Sequence, residues 1–254
     1  DTYKVYSNDV VAVNLTNLGT KNISDLPTLM PSLGLNISPG TEGGNTFDKY
    51  KELAIDDATI NFNVAVDKSE AATTTGGYFF KRVLGQRLKL NVNENVTANL
   101  TTAQANDDYN GQVVGIEANS SKKATSNSET QVNIATGKKI EAARTDGTDK
   151  GATGVFINYG QLENKGTISV EKDATANSGA VGVYAVNGSK VDNKGTIDVG
   201  GDQSVGILGM AYRVDNSNNP IVKEFGGKLG EGTVNITNEK DIKMSGKDAI
   251  GIYA

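Results

Sequence analysis

The sequence predicts an all-β fold: a right-handed parallel β-helix, or β-solenoid, carrying loop and hairpin insertions. Three observations lead there. A glycine-valine unit recurs, as GATGVF at residues 151–156, GAVGVY at 179–184, QSVGIL at 203–208 and KDAIGIY at 247–253. A corner unit follows each of the first three, as LENKGTISV at 162–170, VDNKGTIDV at 191–199 and ITNEKDIKM at 236–244. Within both units the apolar residues alternate with a period of two and are mostly β-branched, a strand signature that no helical stripe fits. Gly154 to Gly182 spans 28 residues, Gly182 to Gly206 spans 24, and Gly206 to Gly251 spans 45. Repetition on this scale marks stacked units that cannot bury an apolar face alone. The strand order recurs without reversal, so parallel coils fit better than hairpins.

In the glycine-valine strand, Thr153, Val155 and Ile157 are expected on one face. Their counterparts are Val181, Val183 and Ala185, then Val205 and Ile207, then Ile250 and Ile252. The second strand sets Ile168 and Val170 beside Ile197 and Val199, then Ile242 and Met244. Asn164-Lys165-Gly166 and Asn193-Lys194-Gly195 supply the turn, because Asn and Gly tolerate the left-handed backbone of a sharp corner. With paired strands ~4.8 Å apart, Asn164, Asn193 and Asn238 are expected to form a hydrogen-bonded column.

Residues 1–57 are the least regular. VVAVNL at 10–15 reads as a strand, 26–44 holds Pro, Gly and Ser, and 48–55 fits one or two helical turns. This part is either an irregular start to the coil or an excursion from it. From 58 to 254 the repeats run through TINFNVAV (59–66), residues 87–100, QVVGIEA (112–118) and VNIATGKKI (132–140). At ~25 residues per turn the chain makes about ten turns in a single elongated domain. It starts abruptly and stops inside a repeat, which reads as truncation at both ends.

Composition agrees. Of 254 residues, 30 are glycine, 27 asparagine and four proline, with no tryptophan, a profile of many corners around a thin core. The net charge of −5, with lysines scattered among acids, presents no basic face to nucleic acid. The absence of cysteine leans towards export, where stray thiols are a hazard. No apolar run approaches the ~20 residues of a membrane helix.

With no histidine, the Ser-His-Asp and Cys-His constellations and the usual zinc sites are excluded. Asp146 and Asp149, in RTDGTDKG, are the nearest calcium candidates, and they read better as a solvated turn. Asp192 and Asp198 occupy repeat positions held elsewhere by Glu163 and Ser169, so they read as surface residues. The expectation is a non-enzymatic chain without metal or cofactor.

Two features suit binding. If the aliphatic positions point inward, Phe156, Tyr184, Leu208 and Tyr253 stack outside as a platform for sugar or protein. The competing reading, preferred here, is that loops cover this row or that it belongs to the core. The long interval holds the insertion 212–232, YRVDNSNNPIVKEFGGKLGEG, in which Val214, Ile221, Val222 and Phe225 flank Asn-Ser-Asn-Asn-Pro as a projecting β-hairpin would. Tyr212, Arg213, Lys223 and Phe225 are its candidate contact residues.

GVYAVNGSKVDNKGTIDV and GVFINYGQLENKGTISV resemble the degenerate Gly-Val-Tyr and Asn-x-Gly-Thr-Ile units of type V (monomeric) autotransporter adhesin passengers, most of all those of large fusobacterial outer-membrane proteins. The likeness covers about residues 112–254. It implies a monomeric β-helical stalk on the bacterial surface, anchored in the outer membrane through a C-terminal barrel not contained in this sequence. It also implies adhesion to a protein or glycan of host cells or other bacteria. The alternatives are a spacer presenting a distal binding domain and, from another class, a polysaccharide-degrading β-helix enzyme. The matching motifs are structural, so no binding residue carries over.

Overall fold

Parallel strands stack coil upon coil, each lying beside its counterpart one repeat away. Leu162 pairs with Val191, 29 residues on, and Val191 with Ile236, 45 residues on. The computed structural model describes residues 12–25, 40–42, 45–47, 52–67, 83–84, 87–100, 113–119, 130–144, 151–171, 179–210 and 233–254. Strand pairs there are parallel, apart from the short antiparallel pair Gly40–Glu42 and Asn45–Phe47. The chain is therefore a parallel β-helix.

Each regular coil holds three strands where the sequence suggests two. Ala152–Asn158, Gln161–Asn164 and Thr167–Val170 make one coil; Val181–Val186, Lys190–Asn193 and Thr196–Val199 make the next. Asn-Lys-Gly divides LENKGTISV into two strands on different faces. A 13-stranded sheet wraps the first two faces, because Glu52–Phe62 runs unbroken across both, and a six-stranded sheet forms the third. The third face has one strand per coil, and Ala12–Asn22, paired with Glu52–Phe62, adds a coil before them. Among the described residues that is fewer than about ten turns, because successive strands on the second face pair 29 to 45 residues apart. Residues 52–55, expected in a helical turn, lie in a strand, while 48–51 fall outside the described residues.

The core is a set of inward columns. Ile60, Leu90, Val132, Leu162 and Val191 stack on the second face, and Val96, Ile140, Ile168 and Ile197 on the third, all fully buried. Burial of such side chains, at about 1.5–3 kcal/mol each, is what stabilises a coil that has no core of its own.

The recurrent glycine brings the next coil close to the first strand. A Cβ on Gly154 would lie 2.6 Å from the Gly182 carbonyl oxygen, and one on Gly115 2.5 Å from that of Gly154, with Ile140 or Ile168 pressing from inside. Only glycine allows the next backbone so close. Two successive residues point inward, the glycine and then Val155, Val183 or Ile207. Ala152 and Ala180 join the main core, whereas Val114, which pairs with Thr153, joins an outer cluster. Thr153, Val181 and Val205 therefore face out, contrary to simple alternation.

The corner expectation is also corrected. Asn164, Gly166, Asn193 and Gly195 do not carry the left-handed backbone; Tyr159, Asn187 and Gly188, at the preceding corner, do. Gly195 is required instead by close approach, since a Cβ there would collide with the Gly166 backbone. The asparagine column forms as expected: Asn164 Nδ2 donates to Asn193 Oδ1 and Asn193 Nδ2 to Asn238 Oδ1, each at 2.7 Å.

Candidate binding surface

The outer row of the first face is built by register. Phe156 pairs with Tyr184, Tyr184 with Leu208, and Leu208 with Tyr253. The Phe156 and Tyr184 rings meet edge to face, with centroids 5.5 Å apart and planes at 84°. Val114, Phe156 and Val186 form a buried cluster outside the main core, with Tyr184 and Met210 packed against it. The Tyr184 hydroxyl donates to Met210 Sδ at 3.6 Å. Exposure runs along the row, from 2% at Phe156 through half-buried Tyr184 and Leu208 to 56% at Tyr253. The row is thus outside the coil yet covered at one end. Phe156 offers no contact surface; Tyr184 and Tyr253 do.

The second face presents polar columns that the sequence reading did not find. Asn133 donates to Asn91 at 3.0 Å and Asn91 to Asn61 at 2.9 Å, an outward amide ladder with no Asn-Lys-Gly to mark it. In the next two coils the same column becomes acidic, as Glu163 and then Asp192. Glu163 accepts from Lys165 at 2.8 Å and Lys194 at 2.9 Å. Those two ammonium groups, Lys165 first, hold its carboxyl below the ordinary glutamate value, and Glu163 in turn raises Lys194. Asp192, 9% exposed, takes Lys190 at 2.9 Å and Gln161 at 3.3 Å, so it is an ion-paired and largely buried group. Its surface reading holds for direction and fails for exposure.

At the corner beyond, an open groove of about 360 Å³ runs along the stack. Lys165, Lys194 and Lys240 line it with Thr167, Thr196 and Asp241. Since Glu163 already engages two of the lysines, the groove is polar rather than strongly cationic.

Tyr212, Arg213, Lys223 and Phe225, the insertion candidates, lie outside the described residues, as do Asp146 and Asp149. The link that carries the insertion joins Val205–Met210 to Asn235–Asn238. It takes the place of the short links from Asn158 to Gln161 and from Val186 to Lys190. Among the described residues no group of three or more His, Cys, Asp or Glu side chains is placed to hold a metal ion. No helix there is long and apolar enough to cross a membrane.

No family model, no curated protein and no solved structure matches the chain.

Proposed function

We propose that this chain is a shaft segment of a bacterial surface protein of the autotransporter passenger class. It acts by contact rather than by chemistry, in adhesion to host cells or to other bacteria. The observation that carries this reading is that the recurring residues serve the stacking itself. The glycines admit the neighbouring backbone, the asparagines link coils, and the aliphatic residues fill the columns. Recognition then belongs to what differs between coils. The most distinctive difference is the 212–232 insertion with Tyr212, Arg213, Lys223 and Phe225, followed by Tyr184 and Tyr253 on the outer row.

One observation favours the spacer reading as well. Two lysines of the flank, Lys165 and Lys194, are engaged by Glu163 within the stack, and Phe156 is buried, so these described residues of the shaft are occupied with its own packing.

The test is binding of the purified chain to epithelial cells and to co-resident bacteria. It is run beside a variant in which residues 212–232 are replaced by an Asn-Gly turn. Loss of binding with the insertion places adhesion there. Retained binding moves the contact to the shaft. No binding by either protein rejects adhesion for this segment and leaves the spacer.

A further inference from the structure

We propose that the corner groove between the second and third faces binds a linear glycan bearing spaced carboxylates, laid along the stack of coils. The proposal rests on the contact reading above and gives that contact a place and a partner class.

The groove is a repeated structure rather than a single pit. It runs from Gly137 in one coil, through 165–167 and 194–196 in the next two, to Asp241 in a fourth. Thr167 pairs in register with Thr196, so Lys, Gly and Thr recur in adjacent coils one strand spacing apart, ~4.8 Å. In both coils the lysine is exposed, the threonine half-buried and the glycine buried. Lysine and threonine are therefore the walls, and glycine is the floor. That floor is bare main chain, because a Cβ on Gly195 would lie 2.1 Å from the Gly166 carbonyl oxygen, and one on Gly166 2.2 Å from that of Lys138.

The walls select the ligand. Lysine ammonium groups only donate, threonine hydroxyls donate and accept, and the Asp241 carboxylate accepts. Such a set suits a ligand whose groups do both at every step, as sugar hydroxyls do. No aromatic or aliphatic side chain lines the groove, so an apolar peptide finds no anchor there. Charge decides the rest. Lys165 and Lys194 share the one carboxylate of Glu163, at 2.8 and 2.9 Å, so two rungs carry a single positive charge in excess. Each ammonium has three donors and keeps some for a ligand. The excess suits a chain with one carboxylate for every two sugar units. Glu163 and Asp241 oppose a chain charged at every unit, such as a nucleic acid.

The test titrates the purified chain, by calorimetry at one salt concentration, with a hyaluronan hexasaccharide, with neutral chitohexaose and with a single-stranded DNA hexamer. Hyaluronan is expected to bind tightest. Changing Thr167→Val and Thr196→Val together is expected to weaken hyaluronan and chitohexaose alike by about tenfold, at an unchanged urea midpoint. Glu163→Gln, which releases both ammonium groups, is expected to tighten hyaluronan severalfold and leave chitohexaose as it was. Should the threonine pair shift the midpoint, Glu163→Gln decides. No hyaluronan binding by the parent overturns the proposal, and cell binding by that same protein would leave the contact reading standing without it. Hyaluronan affinity indifferent to the threonine pair, or to Glu163→Gln, overturns the site. Equal affinity for chitohexaose overturns the carboxylate, and equal affinity for DNA overturns the glycan in favour of any polyanion.

Discussion

The Asn164 side-chain amide donates to Asn193 at 2.7 Å across adjacent coils, and both residues are fully buried. The inward column they occupy holds Phe62, Val92 and Ile134 in the earlier coils. The same position along the strand is thus filled by apolar packing in one part of the stack and by an amide chain in another. The two solutions differ in what a single change does. An apolar column loses volume, whereas an amide column loses a donor and an acceptor together.

Asn193→Ala is accordingly expected to destabilise the protein by about 1–3 kcal/mol for each buried amide group left unpaired. Equilibrium urea unfolding reads this as a lower midpoint at constant slope. Changing Asn164, Asn193 and Asn238 together to isoleucine is expected to recover part of the loss, because no amide of the column is left half-paired, although the buried Gly166 N–H loses its acceptor on Asn164. A triple variant less stable than the sum of the single ones would contradict this account.

Gly182 and Gly251 occupy one repeat position with opposite surroundings. Gly182→Ala drives a methyl against the Gly206 carbonyl and to 2.6 Å from Ile197 Cγ2, so a cost of about 1–3 kcal/mol or more is expected. Gly251→Ala meets open space and is expected to stay within about 0.5 kcal/mol of the parent. Comparing the two midpoints separates a steric requirement from a motif preference.

Phe156→Ala empties the outer cluster and is expected to cost about 3 kcal/mol, the lower end for a buried phenylalanine. Tyr253→Ala, on the exposed end of the same row, is expected to change stability by less than about 0.5 kcal/mol. Thermal unfolding of the two variants checks the pair. Equal losses would mean the row is not graded in burial as described.

Glu163 gives the protein an acid sensitivity with a definite sign. Its carboxyl titrates lower in the folded chain than when unfolded, because Lys165 and Lys194 bond to the ionised form. That contribution is present above the ordinary value of 4.5 and is lost as pH falls through the lowered one. As a partly exposed pair it is worth under about 1 kcal/mol. Urea midpoints measured from pH 7 downward should therefore converge for the parent and Glu163→Gln at low pH and differ at neutral pH. A gap that widens on acidification would reject the assignment.

Much of this architecture was legible before any coordinates. Period-two alternation announced strands, recurrence of the same two units in the same order announced stacking, and the three Asn-x-x corners announced the amide column, because in a parallel stack equal positions become neighbours. The outer ladder Asn61–Asn91–Asn133 was not legible, since isolated asparagines in strands carry no local signature; only the register, with steps of 30 and 42 residues, aligns them. Of the candidate contact residues, sequence placed Phe156 and Tyr184 in one row but had no means of telling a buried ring from an exposed one.

Sequence by itself determined the all-β class, the repeat, the rungs of glycine and asparagine, and the absence of histidine chemistry. Tertiary structure alone decided that each regular coil has three strands, that Thr153, Val181 and Val205 face out, and that Gly166 and Gly195 are needed for closeness rather than for left-handed backbone. The reason is physical. Alternation and turn propensity are properties of neighbours along the chain, but the carbonyl that excludes a Cβ at Gly182 belongs to Gly206, on the next coil. Which side of a strand is inside is settled by contacts that exist only once the coils are stacked.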